Sequence, residues 1–362
     1  MTEVKLVKLR KEFGKLVAVN DLTLTIDSGT LVSFLGPSGC GKTTTLRMIA
    51  GLTSPTSGEI YFNDKVVNEL KPQERNVGLV FQDYAIFPTM NAFDNIAFGL
   101  KIRKVPKEEI RKRVMEVAEL LNIQGILNLM PKHMSQSELQ SVALARTLVT
   151  NPSILLLDEP LSNLDAALRA KMRREIRRLQ RTIKQTVIYV THDQLEAIAI
   201  SDKIAVMNLG VLHQYGTPKE IYNTPKTKFV AGFIGAPPMN FLDCSFVDKD
   251  GGYLDFGIAK IDVSKYREII LKECSSNELI LGVRPENIKI FHEPVSKNSI
   301  EVIIEAYEPL GSEAIVDATL GQYLMRISTS RTFIANPGER KYIEFDINKI
   351  HIIDKKTEKV IV

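Results

Sequence analysis

The sequence predicts an α/β fold followed by a smaller all-β domain, and three observations carry that expectation. Apolar segments of strand length recur at Leu31–Leu35, Val77–Phe81, Ile154–Leu157, Val187–Val190 and Ile204–Met207. Helical patterns separate them, which is the alternation of a mostly parallel sheet covered by helices. After Phe233 the texture changes to short alternating segments with turns such as Asp250-Gly251-Gly252 and little helical periodicity. The chain has 362 residues. Single cores rarely grow beyond roughly 250–300 residues, so two domains are expected. The linker GAPPMN sets their boundary, giving residues 1–235 and 236–362.

The first strand, Leu31–Leu35, runs into Gly36, Pro37, Ser38, Gly39, Cys40, Gly41, Lys42, Thr43 and Thr44, and a helical pattern follows. A G-x-x-x-x-G-K-T loop between strand and helix is the setting in which nucleotide phosphates are bound. The three glycines let successive backbone N–H groups point at an anion. The helix beginning near Lys42 adds its positive end. Lys42 brings a point charge to the β- and γ-phosphates, and the Thr43 hydroxyl can join the coordination shell of Mg²⁺. The first domain is therefore a P-loop NTPase core.

Between residues 87 and 150 the pattern turns helical, as in Ile110, Val114, Val117, Ala118 and Leu121, which share one face after Pro106. This predicts an inserted helical subdomain. Next comes SILLLDEP, Ser153–Pro160, an apolar strand that delivers two carboxylates at its end. Asp158 is placed to hold Mg²⁺, directly or through water. Glu159 is placed to act on the attacking water as a general base or orienting group, although an acid at a helix start is its bland alternative. The segment Ala167–Lys184 is rich in Arg and Lys, yet Leu168, Met172, Ile176, Leu179 and Ile183 form an apolar stripe along it, so a solvated helix face is expected.

Composition excludes several classes. A formal charge of +4 on this length asks for neither nucleic acid nor an anionic membrane as partner. Cys40, Cys244 and Cys274 are scattered, with no C-x-x-C pair, which argues against a disulfide frame or a zinc site and fits a reducing cytosol. The first residues, MTEVKLVKLRKEFG, hold no apolar leader, and no window approaches the ~20 apolar residues of a bilayer span.

On these motifs the chain resembles, over nearly its whole length, the ATP-hydrolysing subunit of ABC transporters of the maltose and multiple-sugar importer type. The resemblance implies further roles. Gln82 in VFQDYAIFP matches the Q-loop, which touches Mg²⁺ and the attacking water and senses the membrane subunits. Ser162 to Asp165, SNLD, matches the D-loop. His192 in VTHD matches the switch histidine at the γ-phosphate. Phe13 in EFG matches the aromatic that stacks on adenine, with a core position as its alternative. GVRPE, Gly282–Glu286, and EPLGSE, Glu308–Glu313, resemble the accessory oligonucleotide-binding-like (TOBE) domain of these importers. The helical subdomain and the region Tyr84–Met90 would, by the resemblance, receive short helices from membrane subunits, which would account for the aromatics Phe81, Tyr84 and Phe87, with core packing as the alternative for Phe81.

The sequence departs from the family at one place. Where the family has LSGGQ, whose Ser and Gly amides bind the γ-phosphate held by the opposite subunit, this chain has MSQSE. Ser135 survives, Gln136 and Ser137 replace both glycines, Glu138 replaces the glutamine, and Ser141 stands where arginine is usual. A carboxylate at ~4 Å from phosphate costs about 4 kcal/mol at an effective dielectric of ~20. Alternatively, Ser135-x-x-Glu138 is a capping box that turns the carboxylate back on the helix start, worth roughly 1 kcal/mol.

The implied function is a cytosolic ATPase, peripheral on the cytoplasmic face of the membrane. Two copies, or this chain and a consensus partner, would enclose Mg-ATP, hydrolyse it, and drive uptake of a sugar-like solute by separate membrane-spanning permease subunits, with no nucleic acid. The alternatives are a regulatory or weakly hydrolysing subunit and a soluble non-transport ABC ATPase. The latter class resembles tandem cassettes or chains with long coiled-coil insertions, neither of which is present.

Overall fold

The computed structural model describes residues 2–162, 164–249, 251–296 and 298–362. Asn163 of the SNLD run and Asp250 of the predicted turn lie outside the described residues. The chain divides into two compact units, Met1–Pro218 and Lys219–Val362. The division falls ahead of the expected boundary because two short helices before the GAPPMN linker pack with the second unit.

In the first unit the strands are β1 (Val4–Phe13), β2 (Leu16–Ile26), β3 (Leu31–Leu35), β4 (Ser57–Phe62), β5 (Lys65–Val66), β6 (Val77–Val80), β7 (Ile154–Asp158), β8 (Thr186–Thr191), β9 (Lys203–Asn208) and β10 (Val211–Gly216). Its helices are α1 (Lys42–Ala50), α2 (Ala92–Ile102), α3 (Lys107–Leu120), α4 (Gln136–Leu148), α5 (Ala166–Ile183) and α6 (Gln194–Ile200). The central sheet has the order β10-β9-β3-β8-β7-β6 and is parallel except at the β9–β10 pair. All five predicted apolar segments are its strands. Every residue of β3, β7 and β8 is buried, as expected of parallel strands covered on both faces.

A second sheet, order β2-β1-β4-β5 and antiparallel, was not among the predicted strands. Its strands alternate, with Val4, Leu6 and Leu9 buried between lysines, so they lack the continuous apolar run that marks the central sheet. Both sheets share one core with α1 between them. At the C-terminus of α1, buried Arg75 donates to the carbonyl oxygens of Met48 at 2.7 Å and Ile49 at 3.0 Å, satisfying groups the helix leaves open.

The helical subdomain is α2, α3 and α4 around their own apolar cluster, in which Ile110, Val114 and Ala118 present the predicted face. Asn95, fully buried, bonds the backbone of Phe87, Met90 and Asn91 and so anchors the entrance to this subdomain. On α5 the predicted stripe is real: Met172, Ile176 and Leu179 are buried, with Leu168 and Ile183 packed beside them.

The second unit opens with α7 (Pro218–Asn223) and α8 (Lys228–Phe233). Its strands are β11 (Asn240–Val247), β12 (Tyr253–Asp255), β13 (Lys260–Asp262), β14 (Glu278–Val283), β15 (Ile288–Phe291), β16 (Ile300–Pro309), β17 (Glu313–Leu320), β18 (Tyr323–Ser330), β19 (Arg340–Phe345) and β20 (His351–Asp354), with α9 (Arg267–Glu273) as a further helix. They form two five-stranded sheets, β13-β12-β11-β14-β20 and β15-β19-β16-β17-β18, whose inner faces make one core. In the GVRPE run, Arg284 is buried; its guanidinium lies 3.6 Å from the centroid of the Tyr222 ring and donates to the Ile234 carbonyl oxygen at 2.6 Å. EPLGSE is the β16–β17 hairpin, with Gly311 at φ 82 in its turn.

Asp354, at the end of β20, is buried and accepts four hydrogen bonds, from the N–H and hydroxyl of Ser275 and of Thr357. Burial would raise its carboxyl, but these bonds outweigh it and hold the group well below the usual carboxylate range. A carboxylate depressed in the fold stabilises it above the ordinary carboxylate pKa, and that contribution fades as pH falls through the folded value. Asp354→Ala should therefore cost the second unit about 2–4 kcal/mol near pH 7. In urea melts of variant and parent the gap should narrow in acid.

Candidate active site

Strand register assembles the site. β8 lies between β3 and β7, and the pairings Leu35–Thr191 and Asp158–Val190 bring the C-terminal ends of the three strands side by side. That edge is where open α/β sheets bind ligands. β3 leads into the glycine loop and α1, β7 into Glu159, and β8 into His192. β6 pairs Val80 with Leu157, so Gln82, two residues on, reaches the same edge.

The loop glycines answer first to the protein's own backbone. Gly41 has φ 100, and a Cβ there would lie 2.3 Å from the Ala18 carbonyl oxygen. At Gly36 a Cβ would lie 2.1 Å from the carbonyl oxygen of Met207 on β9. Gly39 has φ 79 with open space around it. It sits with Ser38 at the exposed loop tip, while Pro37 and Thr44 are half-buried. Lys42, 5% exposed, donates from Nζ to the carbonyl oxygens of Gly36 at 2.8 Å and Pro37 at 2.9 Å. The Cys40 Sγ lies 3.7 Å from that ammonium, and burial pushes the thiol up against the Lys42 charge.

The Thr43 hydroxyl donates to Asp158 Oδ1 at 2.9 Å, joining the helix after β3 to the end of β7. Burial raises the Asp158 carboxyl, against the Thr43 bond and the charges of Arg47 and Lys42. A buried carboxylate beside a hydroxyl is a hard-oxygen pair suited to Mg²⁺. Among the described residues no group of three or more His, Cys, Asp and Glu could hold a metal.

Glu159 has φ 46, a left-handed conformation that costs a non-glycine residue of order 1–3 kcal/mol. Its N–H donates to the Val190 carbonyl oxygen at 3.0 Å, and its own carbonyl oxygen accepts from the Ser162 hydroxyl at 3.0 Å. Held this way, its carboxylate lies 3.1 Å from His192 Nδ1. Gln82 Nε2 is 3.5 Å from Ser162 Oγ, so Gln82, Ser162, Glu159 and His192 form one chain of contacts. Asp165 serves as N-cap of α5, accepting from the Leu168 N–H at 2.9 Å.

Phe13 is 52% exposed, with the Lys11 ammonium 5.0 Å from its ring centroid, so the core alternative is set aside. Tyr84, by contrast, is buried, and Phe87 packs on Phe98 with centroids 4.6 Å apart. Both aromatics serve packing. Sequence reasoning missed Arg146. It donates to the carbonyl oxygens of Tyr84 at 2.8 Å and Ala85 at 2.6 Å, two residues at φ 60 and 45, and lies 5.3 Å from the Phe87 centroid. This clamp shapes the turn after Gln82; nothing in residue type alone marks it.

Ser135 to Glu138 lies on the helical subdomain at the start of α4, and its side chains bond one another. Glu138 Oε2 accepts from the Ser135 N–H and hydroxyl, both at 2.7 Å, and the Ser135 oxygen accepts from the Glu138 N–H at 3.4 Å. Those bonds hold the Glu138 carboxyl below its usual range. The capping box forms, and the carboxylate is turned back on its own helix. Gln136 is exposed, and Ser137 lies 3.2 Å from the Ser135 hydroxyl.

A phosphate-cradling loop tied to a strand-end aspartate, beside a paired glutamate and histidine, defines a nucleotide-hydrolysing α/β protein. Comparison with known proteins agrees. Residues 19–162 match the family model described as ABC transporter, and residues 235–288 match the MalK OB fold domain. The chain is 46% identical to a trehalose/maltose import ATP-binding protein of Thermococcus litoralis over 100% of both chains. It is 42% identical to an oligosaccharides import ATP-binding protein of Bacillus subtilis over 99% of each. It is 40% identical to an sn-glycerol-3-phosphate import ATP-binding protein of Bartonella bacilliformis over 99% of each. Among solved structures it resembles the ADP- and Pi-bound dimeric ATP-binding cassette MJ0796, with TM-score 0.54 and 31% identity over 59% of this chain and 98% of that one. The chain belongs to the family of ATP-binding subunits of ABC importers, whose activity is ATP hydrolysis.

The glycines offer a contrast. Gly39→Ala should cost only the strain of a left-handed alanine, about 1–2 kcal/mol. Gly41→Ala adds a collision with Ala18 and should lower the thermal midpoint of the first unit several degrees further, measurable by thermal melts of the two variants.

Proposed function

We propose that this chain is the motor subunit of an importer for a sugar-like or glycerol-phosphate solute, the cargo classes named for its relatives. It works as a dimer on the cytoplasmic face of the membrane, against separate permease subunits that hold the solute path. Among the described residues no helix is long and apolar enough to cross a membrane, which leaves translocation to those partners.

The observation that carries the reading is the convergence of Thr43 on Asp158 at 2.9 Å and of Glu159 on His192 at 3.1 Å, at one sheet edge. The glycine-loop amides and Lys42 bind the β- and γ-phosphates. Binding phosphate there exchanges the Gly36 and Pro37 carbonyls for anionic oxygens around the ammonium, a stronger pairing. Thr43, Asp158 and Gln82 would hold Mg²⁺, which supplies neutralisation of phosphate charge when bound. Glu159 orients the attacking water and takes its proton, and the imidazole of His192 holds that carboxylate in place while facing the γ-phosphate. Phe13 is exposed and available to stack on adenine.

Steady-state Mg-ATP hydrolysis across protein concentration tests this. Glu159→Gln should lower turnover about 10²–10⁴-fold, the usual worth of a positioned proton acceptor, while ATP still binds. Full turnover in that variant would overturn the assignment.

The facing subunit's loop completes each site, and here that loop is altered. With the Ser135 hydroxyl bonded to Glu138, a γ-phosphate brought across by the other copy meets a serine already engaged. Side chains at positions 136 and 137 also stand where the family has glycine. A homodimer should therefore close weakly and hydrolyse slowly, and a partner with the glycine loop would supply one good site. The triple change Gln136→Gly, Ser137→Gly and Glu138→Gln should raise homodimer turnover about tenfold, equivalent to ~1.4 kcal/mol of added transition-state binding. An unchanged rate would remove the loop as the cause.

A further inference from the structure

We infer that the groove between α5 and α6 is a binding site for a compound carrying clustered phosphates, distinct from the P-loop. With the apolar stripe of α5 turned into the core, the opposite face sends Arg173, Arg174, Arg177, Arg178 and Arg181 into one groove of about 570 Å³. Ala199 and Ile200 of α6 form its other wall. That volume falls in the roughly 300–1,000 Å³ range of small-molecule sites.

Residue choice argues for more than solvation. The chain holds 18 arginines among its 47 Lys and Arg residues, yet all five cations of the groove are arginine. Guanidinium offers a planar fork that grips phosphate oxygens in pairs, which an ammonium does not. No carboxylate lines the groove among the described residues. Spacing adds a second argument. Arg173–Arg177, Arg177–Arg181 and Arg174–Arg178 are all i,i+4 pairs, which destabilise a helix when both charges are alike. A concentration of like charge that opposes its own helix is what an anion would relieve.

Two of the five are partly neutralised from outside the groove. Arg177 bonds Asp202, with its Nη1 3.1 Å from Oδ2, and Arg178 lies 2.8 Å from Glu175. Arg173, Arg174 and Arg181 have no carboxylate within ion-pair distance among the described residues. Side chains four apart on a helix emerge about 5–6 Å from one another. That spacing suits successive phosphates of a polyphosphate, or phosphates at different positions of one sugar, better than a single phosphate ion.

The test is calorimetric titration of the full chain with inorganic tripolyphosphate, without Mg²⁺ and at physiological ionic strength. A Lys42→Ala background keeps the P-loop from supplying the signal. Binding should persist in that background and weaken at least about tenfold in Arg174→Ala/Arg181→Ala, whose side chains are exposed and, among the described residues, within ion-pair distance of no carboxylate. Arg174→Lys/Arg181→Lys, which keeps the charge but loses the fork, should weaken it at least about threefold. ATP affinity of the Arg174→Ala/Arg181→Ala protein with Lys42 intact should stay within about twofold of the parent. Absence of tripolyphosphate binding in the Lys42→Ala chain overturns the proposal, as does full affinity in the lysine variant, which would reduce the groove to a diffuse positive field. Flotation with phosphatidylcholine vesicles containing phosphatidic acid separates the sources. Arginine-dependent vesicle binding that tripolyphosphate displaces assigns the phosphates to a lipid headgroup, and displacement without flotation assigns them to a soluble compound. Preferential binding of duplex RNA at this face would overturn the small-ligand assignment.

Discussion

The first unit depends on three parallel strands ending at one level. β8 holds β3 and β7 apart by its own width, and pairing through Leu35–Thr191 and Asp158–Val190 leaves the glycine loop, the two acids and His192 on a common edge. A one-residue slip in any of these pairings would turn alternate side chains to the other face and separate Thr43 from Asp158. Slippage is opposed because the strands are buried on both sides, so nearly every residue contributes to the packing that fixes the register. The site inherits its precision from the core rather than from its own hydrogen bonds.

Much of this edge was legible because the features that build it are local. A glycine loop between an apolar run and a helical one states both its conformation and its neighbours, and Asp158 follows from the apolar run that ends in it. Other parts needed the fold. The β1-β2-β4-β5 sheet escaped reading because its buried positions alternate with lysines. Arg146 escaped because its partners are carbonyl oxygens some sixty positions away, which no side-chain pattern announces. The left-handed conformation of Glu159 was likewise invisible, since nothing in Asp-Glu-Pro requires it. The glycines were read as positions where backbone approaches an anion, and the structure shows that Gly41 and Gly36 also stand against the carbonyls of Ala18 and Met207.

Strain and electrostatics converge at the same residues. Glu159 is held off the ordinary backbone regions by bonds from both sides, which aims its carboxylate at His192 instead of along the strand. Burial raises the Asp158 carboxyl, against the bond it accepts from Thr43 and the charges of Arg47 and Lys42. Gln82 approaches this pair through Ser162, and the turn after Gln82 is clamped by Arg146 of α4. A movement of the helical subdomain therefore reaches Glu159 through side chains already in contact.

The altered loop on α4 can be weighed against that arrangement by magnitude. Turning Glu138 back onto Ser135 removes the severe case, a carboxylate at ~4 Å from phosphate worth about 4 kcal/mol of repulsion. What remains is a smaller and more specific loss: one serine donor engaged in a capping box worth roughly 1 kcal/mol, plus two side chains where backbone would approach. In the proposed dimer a γ-phosphate from the facing subunit would compete for the Ser135 hydroxyl, because a charge-assisted bond exceeds an ordinary capping bond. If it does, however, Glu138 is released from its two donors while its charge is still close to the phosphate. In the proposed dimer the capping box that makes the helix start stable in the single chain would therefore be the contact that opposes closure.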